Sequence, residues 1–465
     1  MSDLLGMSAV DLAALLQRRE VRAVELVDAA LARAAATSGL GAFVEVTAER
    51  ARAAAARRDA TAPDGPLWGI PIADKDLVAR AGVPTRYGSR AREGFVPTVS
   101  DPLAAALDRA GAVSIGKTST SEFGLTGYTE PRGGGAWARD PWNPGDGAGG
   151  SSGGAAVAVA TGVLAIAPAS DGGGSIRIPA ATVGVVGLKP SRGRLPLGSG
   201  LDAPEGLAVT GPLARTVADA AFLLDALCAL APYDFSVRAG DAPPFLPATA
   251  GDPPRLRVGL TTVSPWDDDI DIAVDPSAVD ALHAAATMLA SAGHEVTDAS
   301  WQPQRYGPLF RVLWRASAAR IPLTHDDLAI VEPLTAWLVR EGRALDARVL
   351  LSALAEARVF ERETIRAFAP YDVVLTPALA QTPRPIGWYD GDDPESTFAQ
   401  QVQYAPFSSF VNVAGLPAIV LPVAMTGGHP VSVQLVGRPG GERAIIAAAA
   451  QLEGLRGPLP LPPTP

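Results

Sequence analysis

Three short stretches hold residues whose types could do chemistry together. Lys75 ends the apolar run Gly69-Ile70-Pro71-Ile72-Ala73 and is flanked by Asp74 and Asp76. Ser151 and Ser152 stand between paired glycines in GGSSGG, from Gly149 to Gly154, and Ser175 follows three glycines in SDGGGSIR, from Ser170 to Arg177. An ammonium becomes a base only after losing its proton, and burial favours the neutral form. An apolar strand running into the core would bury Lys75, and strand alternation would turn Asp74 and Asp76 to the other face. A surface lysine paired with an aspartate remains open on spacing alone. In SDGGGSIR a strand ends, three glycines follow and a serine opens a helix. Successive N–H groups in such a turn converge and can bind an oxyanion, so a nucleophilic Ser175 would carry its own oxyanion hole. Either Gly-rich run alone also reads as a flexible loop; both together with GIPIADKD carry the weight.

Other motifs carry less. Gly111-x4-Gly116-Lys117-Thr118 fits the phosphate-loop pattern, but its strand lies inside the motif rather than before it. Gly145-x-Gly147-x-x-Gly150 fits a dinucleotide fingerprint, yet Pro141-Trp142-Asn143-Pro144 before it reads as loop. Gly149 to Gly153 fits the GxSxG elbow, which needs a preceding strand and a histidine partner. His283, His294, His325 and His429 all read as ordinary surface histidines. A serine hydrolase here would therefore use a lysine. Cys228, the single cysteine, lies in the apolar pattern AFLLDALC and reads as a core thiol.

Helices and apolar strands alternate along the chain and must position these groups. Helices are expected over the first forty residues, at 49–60, after a Ser100 cap with Pro102 in the first turn, and at 154–162. Strands are expected at 41–46, 69–73, 112–115, 163–168 and 183–188. Residues 257–296 read as a βαβ unit, 306–369 as mostly helical, 373–375, 418–421 and 431–436 as strands, and 442–452 as the last helix. The alternation predicts an α/β layered fold with a mainly parallel sheet. Residues 238–255 read as a long surface connection. The tail PLPLPPTP is expected to be disordered.

The chain has 465 residues, 48% hydrophobic and 19% charged, with 48 glycines, 42 prolines and a net charge of −10. That composition predicts a globular, turn-rich chain with a large core and argues against a nucleic-acid partner. No internal disulfide is possible, and the N-terminus lacks a signal-peptide pattern. The uncharged stretch between Asp146 and Asp171 is too broken by glycines to span a membrane. A cytoplasmic enzyme without a membrane partner is expected.

The three stretches, in this order, resemble the amidase signature family. The likeness runs from Gly69 to Leu227 through GIPIADKD, DPLAAALDRAGAVSIGKTSTSEFG, NPGDGAGGSSGG, SDGGGSIRIPAATVGVVGLKPSRGR and TGPLARTVADAAFLLDAL. It resumes with YDVVLTP, FSSFVNVAGLPAIVLPV and VSVQLVGRPGGE. The resemblance implies the amidase signature fold, a mixed, roughly eleven-stranded sheet with helices on both faces. It implies one domain over 1–465, with a signature core at about 65–230, a variable helical region at 231–370, a C-terminal core segment at 371–455 and the tail. It also implies a Ser-cisSer-Lys triad of Lys75, Ser151 and Ser175, and an oxyanion hole from the N–H groups of Gly172, Gly173, Gly174 and Ser175. Ser152, Asp171 and Arg177 would support these groups. Two departures are visible: Asp171-Gly172 where the family commonly has Asp-Thr or Asp-Ile, and Gly147-Ala148 in place of its Thr-Pro. Neither removes a catalytic group.

The implied reaction is amide C–N hydrolysis through an acyl-enzyme on Ser175, with no metal or cofactor, acting on a small-molecule amide. Phe123, Leu125, Tyr128, Gly149, Gly150, Trp388, Tyr389, Tyr404, Phe407 and Phe410 are the candidate substrate contacts. Their aromatic, uncharged character points to small hydrophobic or aryl amides, with esters and carbamates (urethanes) open to the same attack; the same side chains also read as ordinary core. A glutaminase-type subunit of a tRNA-dependent amidotransferase is the nearest alternative, although the chain lacks an SSNLARYDGVRYG-like segment. A phosphate-loop protein using Gly111 to Thr118 is the alternative of another class. A homodimer is compatible with the sequence.

Overall fold

Leu12 and Leu16, then Leu26, Val27, Ala30 and Leu31, recur at helical spacing. They are the buried sides of α1 (Ala9–Gln17) and α2 (Ala23–Ala36). These helices open a computed structural model that describes residues 4–133, 135–230, 242–251 and 253–463. Strand β1 (Phe43–Val46), helix α3 (Ala48–Asp59), strand β2 (Pro71–Lys75), helix α4 (Pro102–Arg109) and strand β3 (Val113–Thr118) follow, and the strands form a sheet ordered β1-β3-β2. Every residue of β2 and β3 is buried, which carries Lys75 and Lys117 inside. Asp101, not Ser100, is the N-cap of α4; the Ser100 hydroxyl instead accepts from Ala81 N at 3.0 Å.

The second half of the signature region supplies α5 (Gly153–Ala160), β4 (Ile166–Asp171), α6 (Arg177–Val183), β5 (Val186–Lys189), β6 (Val209–Ala214) and α7 (Val217–Ala229). The expected βαβ unit forms as β7 (Arg257–Leu260), α8 (Pro276–Ser291) and β8 (Glu295–Asp298). Then come α9 (Tyr306–Ala319), α10 (Asp327–Ile330), α11 (Pro333–Arg343), α12 (Ala347–Phe368), β9 (Val373–Pro377), α13 (Pro394–Tyr404), α14 (Ser409–Val413), β10 (Ala418–Thr426), β11 (His429–Gly437) and α15 (Glu442–Arg456). The eight later strands form one sheet ordered β4-β6-β5-β10-β11-β9-β7-β8. Eleven strands are thus described, hydrogen-bonded as three plus eight.

The sheet is mixed rather than mainly parallel. Only β2–β3, β7–β8 and β7–β9 pair parallel among the described residues; the other pairs are antiparallel. Helix α6 does connect two strands of the same direction, β4 and β5. However, β6, which helix–strand alternation does not reveal, inserts antiparallel between them. Strands β10 and β11 form a hairpin closed by Gly427 and Gly428, both at positive φ. Along β11 the pleat sends Val433 and Leu435 into the larger apolar core and Val436 into a second one with α9 and α12. That is how helices cover both faces.

Several local expectations are corrected. The 163–168 strand lies at 166–171, so it delivers Ser170 and Asp171 directly, and Val183 closes a helix rather than opening a strand. The 238–255 segment, in part outside the described residues, is not merely a surface connection: Phe245 is fully buried, with the Arg194 guanidinium 5.2 Å from its ring centroid. Of the tail, Arg456 ends α15, residues 457–463 have no regular secondary structure, and the final two lie outside the described residues. His294 is buried: its Nδ1 accepts from Leu256 N at 3.0 Å. His429 is half-buried, with Nδ1 3.1 Å from Asp140 Oδ2. Cys228 is buried, and burial pushes its thiol up to about 12. No helix among the described residues is long and apolar enough to cross a membrane.

Candidate active site

The pleat of β2 separates its charges. Asp74 turns to Arg80, which donates to it at 2.6 and 3.1 Å, and to the Ser114 hydroxyl at 2.8 Å. Asp76 accepts from Arg86 N at 3.0 Å and lies 3.5 Å from Lys117 Nζ. Lys75, between them, points the other way. It is 2% exposed, and its Nζ lies 2.8 Å from Ser151 Oγ, 3.2 Å from Ser170 Oγ and 3.4 Å from Ser170 O. Burial lowers its pKa from 10.5 to about 7, and the nearby Asp171 carboxylate opposes that shift. The surface-lysine reading of Lys75 does not fit this geometry.

Ser151 is placed by the GGSSGG run. Its peptide bond to Gly150 is cis. The run enters α5 through glycines that admit no side chain; a Cβ on Gly154 would collide with Ser119 N and Ala42 O. Ser152 ties the two serine-bearing loops together. Its N–H donates to Ser175 O at 3.2 Å, and its hydroxyl to Ser170 O at 3.3 Å.

Ser175 sits in the turn between β4 and α6. The turn is built around the Asp171 carboxylate, which accepts from Gly174 N at 2.7 Å and Ile176 N at 3.2 Å. Arg177 Nε and Nη2 donate to the same carboxylate at 2.9 and 3.0 Å. Burial alone would raise the Asp171 pKa, but the Arg177 guanidinium outweighs it and holds the carboxyl well below the usual range. Gly174 has φ +133°, and a Cβ there would collide with the Ser408 side chain. The bond to Asp171 corrects one expected oxyanion donor: the Gly174 N–H is already spent. The N–H groups of Gly172, Gly173 and Ser175 have no hydrogen-bond partner among the described residues.

Sequence reasoning missed the next layer. Arg177 also donates to Ser408 O at 2.8 Å, Gln434 Oε1 at 2.8 Å and Asn412 Oδ1 at 2.6 Å. Asn412 Nδ2 in turn donates to Asp171 O and Oδ1, both at 2.9 Å. A signal existed: Asn412 and Gln434 are lone polar residues inside apolar runs, and buried polar groups need partners.

Ser175 and Gly173 line a cavity of about 70 Å³. Trp266, Phe310, Trp314, Tyr389, Phe398 and Tyr404 give it aromatic walls, with Leu125, Ile178 and Val402 between them. No charged side chain among the described residues lines it, and Gln401 is engaged with Gly127 N at 2.8 Å. Of the sequence candidates, Leu125, Tyr389 and Tyr404 are cavity residues. Tyr128 lies behind Tyr389, stacked at 4.0 Å, and Trp388 packs edge-on to Tyr389 at 4.9 Å. Phe123 stacks on Tyr87 at 6.2 Å, Phe407 is core, and Phe410 packs on Trp301 at 4.7 Å. Gly149 packs on Thr182 and Pro179, and Gly150 on Tyr128 and Thr129. Trp266, Phe310, Trp314 and Phe398 lacked any local motif to mark them.

The phosphate-loop pattern is structural. Lys117 is fully buried in β3 and donates to Val78 O and Thr85 Oγ1, leaving nothing to meet a phosphate.

The sequence model of the Amidase family matches residues 25–446. The putative amidase AmiB2 of Mycobacterium tuberculosis is 38% identical, over 90% of this chain and 89% of its own length. One component of the glutamyl-tRNA(Gln) amidotransferase of Synechococcus is 36% identical, over 93% of this chain and 94% of its own length. The solved structure of 6-aminohexanoate cyclic dimer hydrolase complexed with substrate superposes with a TM-score of 0.88 at 31% identity, covering 97% of both chains. The chain therefore belongs to the amidase signature family and is an enzyme acting on amide C–N bonds.

Proposed function

We propose that this protein is a free-standing hydrolase of uncharged small-molecule amides, with Ser175 as nucleophile, Ser151 as proton relay and Lys75 as base. The observation that carries the reading is the 2.8 Å contact between a buried Lys75 amine and Ser151 Oγ, beside a turn that presents Ser175 to an aromatic cavity. As Ser175 Oγ attacks the carbonyl carbon, its proton passes to Ser151, and the Ser151 proton passes to neutral Lys75. The carbonyl oxygen, now an oxyanion, takes the N–H groups of Gly172, Gly173 and Ser175; one such donor contributes about 3–4 kcal/mol. Collapse breaks the C–N bond while Ser151 returns the proton to the departing amine, which could not leave as an anion. Water releases the acyl group by the same relay run again.

The apolar, uncharged walls favour hydrophobic or aryl amides, and the same attack extends to esters and carbamates. The 31%-identical neighbour acts on the cyclic dimer of 6-aminohexanoate, a substrate rich in methylenes, in keeping with such walls. The test is hydrolysis of a panel of neutral aryl and alkyl amides by the wild type and by Ser175→Ala. Turnover is expected to vanish in the variant while its Tm stays unchanged. Full activity in Ser175→Ala, or a fluorophosphonate label mapped to another serine, would overturn the assignment.

The likeness to the amidotransferase component favours one second reading, a glutaminase within a larger complex. That reading predicts hydrolysis of glutamine and a co-purifying partner. The cavity supports it less, because among the described residues no charged side chain lines it to hold an amino acid.

A further inference from the structure

Lys75 has three oxygen neighbours of different chemistry: the Ser151 hydroxyl at 2.8 Å, the Ser170 hydroxyl at 3.2 Å and the Ser170 carbonyl at 3.4 Å. A protonated lysine has three N–H donors and no acceptor, so all three oxygens can accept from it. A neutral amine keeps two N–H groups and gains a lone pair. One neighbour must then turn from acceptor to donor. The carbonyl has no proton to offer, and it also accepts from the Ser152 hydroxyl at 3.3 Å. The choice falls between the two hydroxyls, and the relay proposed above runs through only one of them, Ser151.

We propose that Ser170 is a positioning residue for the proton relay: its carbonyl and hydroxyl take the two N–H groups of neutral Lys75 and so turn the lone pair onto the Ser151 hydroxyl. This rests on the reading of Lys75 and Ser151 given above and gives Ser170 no contact with substrate. The strand fixes the device. Ser170 is the penultimate residue of β4, and its pairing with Thr210 of β6 holds the backbone that presents the carbonyl. Without the second acceptor the amine can rotate about its terminal bond, and a fraction of molecules present an N–H, not the lone pair, to Ser151.

The test compares Ser170→Ala and Ser170→Thr with the wild type, measuring kcat and KM against pH on one neutral amide, with Lys75→Ala in parallel. In Ser170→Ala the high-pH plateau of kcat is expected to fall about ten-fold, the upper worth of one hydrogen bond between neutral groups, with KM changed less than about two-fold. Threonine, which keeps the hydroxyl, restores the plateau. The rising limb of the profile moves to lower pH, because the lost acceptor bonds an ammonium more strongly than an amine. A merely loosened site admits water, relieves burial and moves the limb the other way. An unchanged plateau in Ser170→Ala, or a limb displaced to higher pH, overturns the inference while Lys75→Ala is inactive. An active Lys75→Ala overturns the base assignment itself.

Discussion

Lys75 can serve as a base near neutral pH only because its surroundings are dry. Burial brings its pKa down to about 7, and the Asp171 carboxylate, which would otherwise draw it back up, is largely committed to Arg177. In the proposed mechanism the active form is the neutral amine. Activity therefore rises as pH increases through the folded pKa and levels off above it. A profile of kcat/KM from about pH 5.5 to pH 9 should show a single rising limb centred near 7; a flat or falling profile would remove Lys75 from the role. At this scale the site was legible in the sequence wherever the determinants are local. Lys75, Ser151 and Ser175 lie in three short runs whose glycines and apolar flanks constrain the backbone. Asn412 and Gln434 were not legible as partners of Arg177, because they lie 235 and 257 residues away and only the tertiary fold joins them. The Gly174 N–H was misread for a simpler reason: a backbone donor's availability depends on a side chain three residues back, Asp171.

Secondary structure positions the cavity as well as the candidate catalytic groups. Helix α9 sends Phe310 and Trp314 against Gly173 and Gly172, so the wall of the cavity and the cradle of N–H donors touch. Phe310 also meets Trp266 edge-on at 5.6 Å and stacks on Tyr306 at 5.8 Å. Phe310→Ala should widen the cavity beside Ser175. Expected are a stability loss of about 3 kcal/mol in urea titration, the low end for a buried phenylalanine because one side already faces space, and a shift of kcat/KM toward bulkier amides. An unchanged size preference would place the substrate elsewhere. Helical character at 306–369 was readable from periodicity, but periodicity says nothing of which helix faces the site. The parallel-sheet expectation failed at the β10–β11 hairpin, at the β1–β3 pair and at β6. TGPLA carries Gly211 and Pro212, poor strand residues, yet it forms β6 at full burial because neighbouring strands on both sides satisfy it.

The whole molecule bears a cost for its buried cations, and Lys189 shows it apart from Lys75. It closes β5 with 0% exposure, and its Nζ donates to the adjacent Pro190 carbonyl at 2.8 Å. Burial, with Arg177 adding to it, lowers its pKa from 10.5 to about 7. In the unfolded chain the proton stays on until about pH 10.5; in the folded chain it leaves near 7. Between those values the unfolded state binds more protons, so stability rises with pH, by about 1.4 kcal/mol per unit for this group. Below 7 the cost of burying Lys189 is at its full value, and it fades toward pH 10.5. Lys189→Met keeps the volume and removes the titration, though it leaves the Pro190 carbonyl without its partner. Net stabilisation of about 2 kcal/mol at pH 7 is expected, shrinking and then reversing as pH climbs toward 10. Urea unfolding of both proteins at pH 7 and pH 9 measures the difference. A gain that is equal at the two pH values would mean that Lys189 keeps an ordinary pKa in the folded protein, and that its neighbours, Asp171 and Glu442 among them, compensate the burial in full.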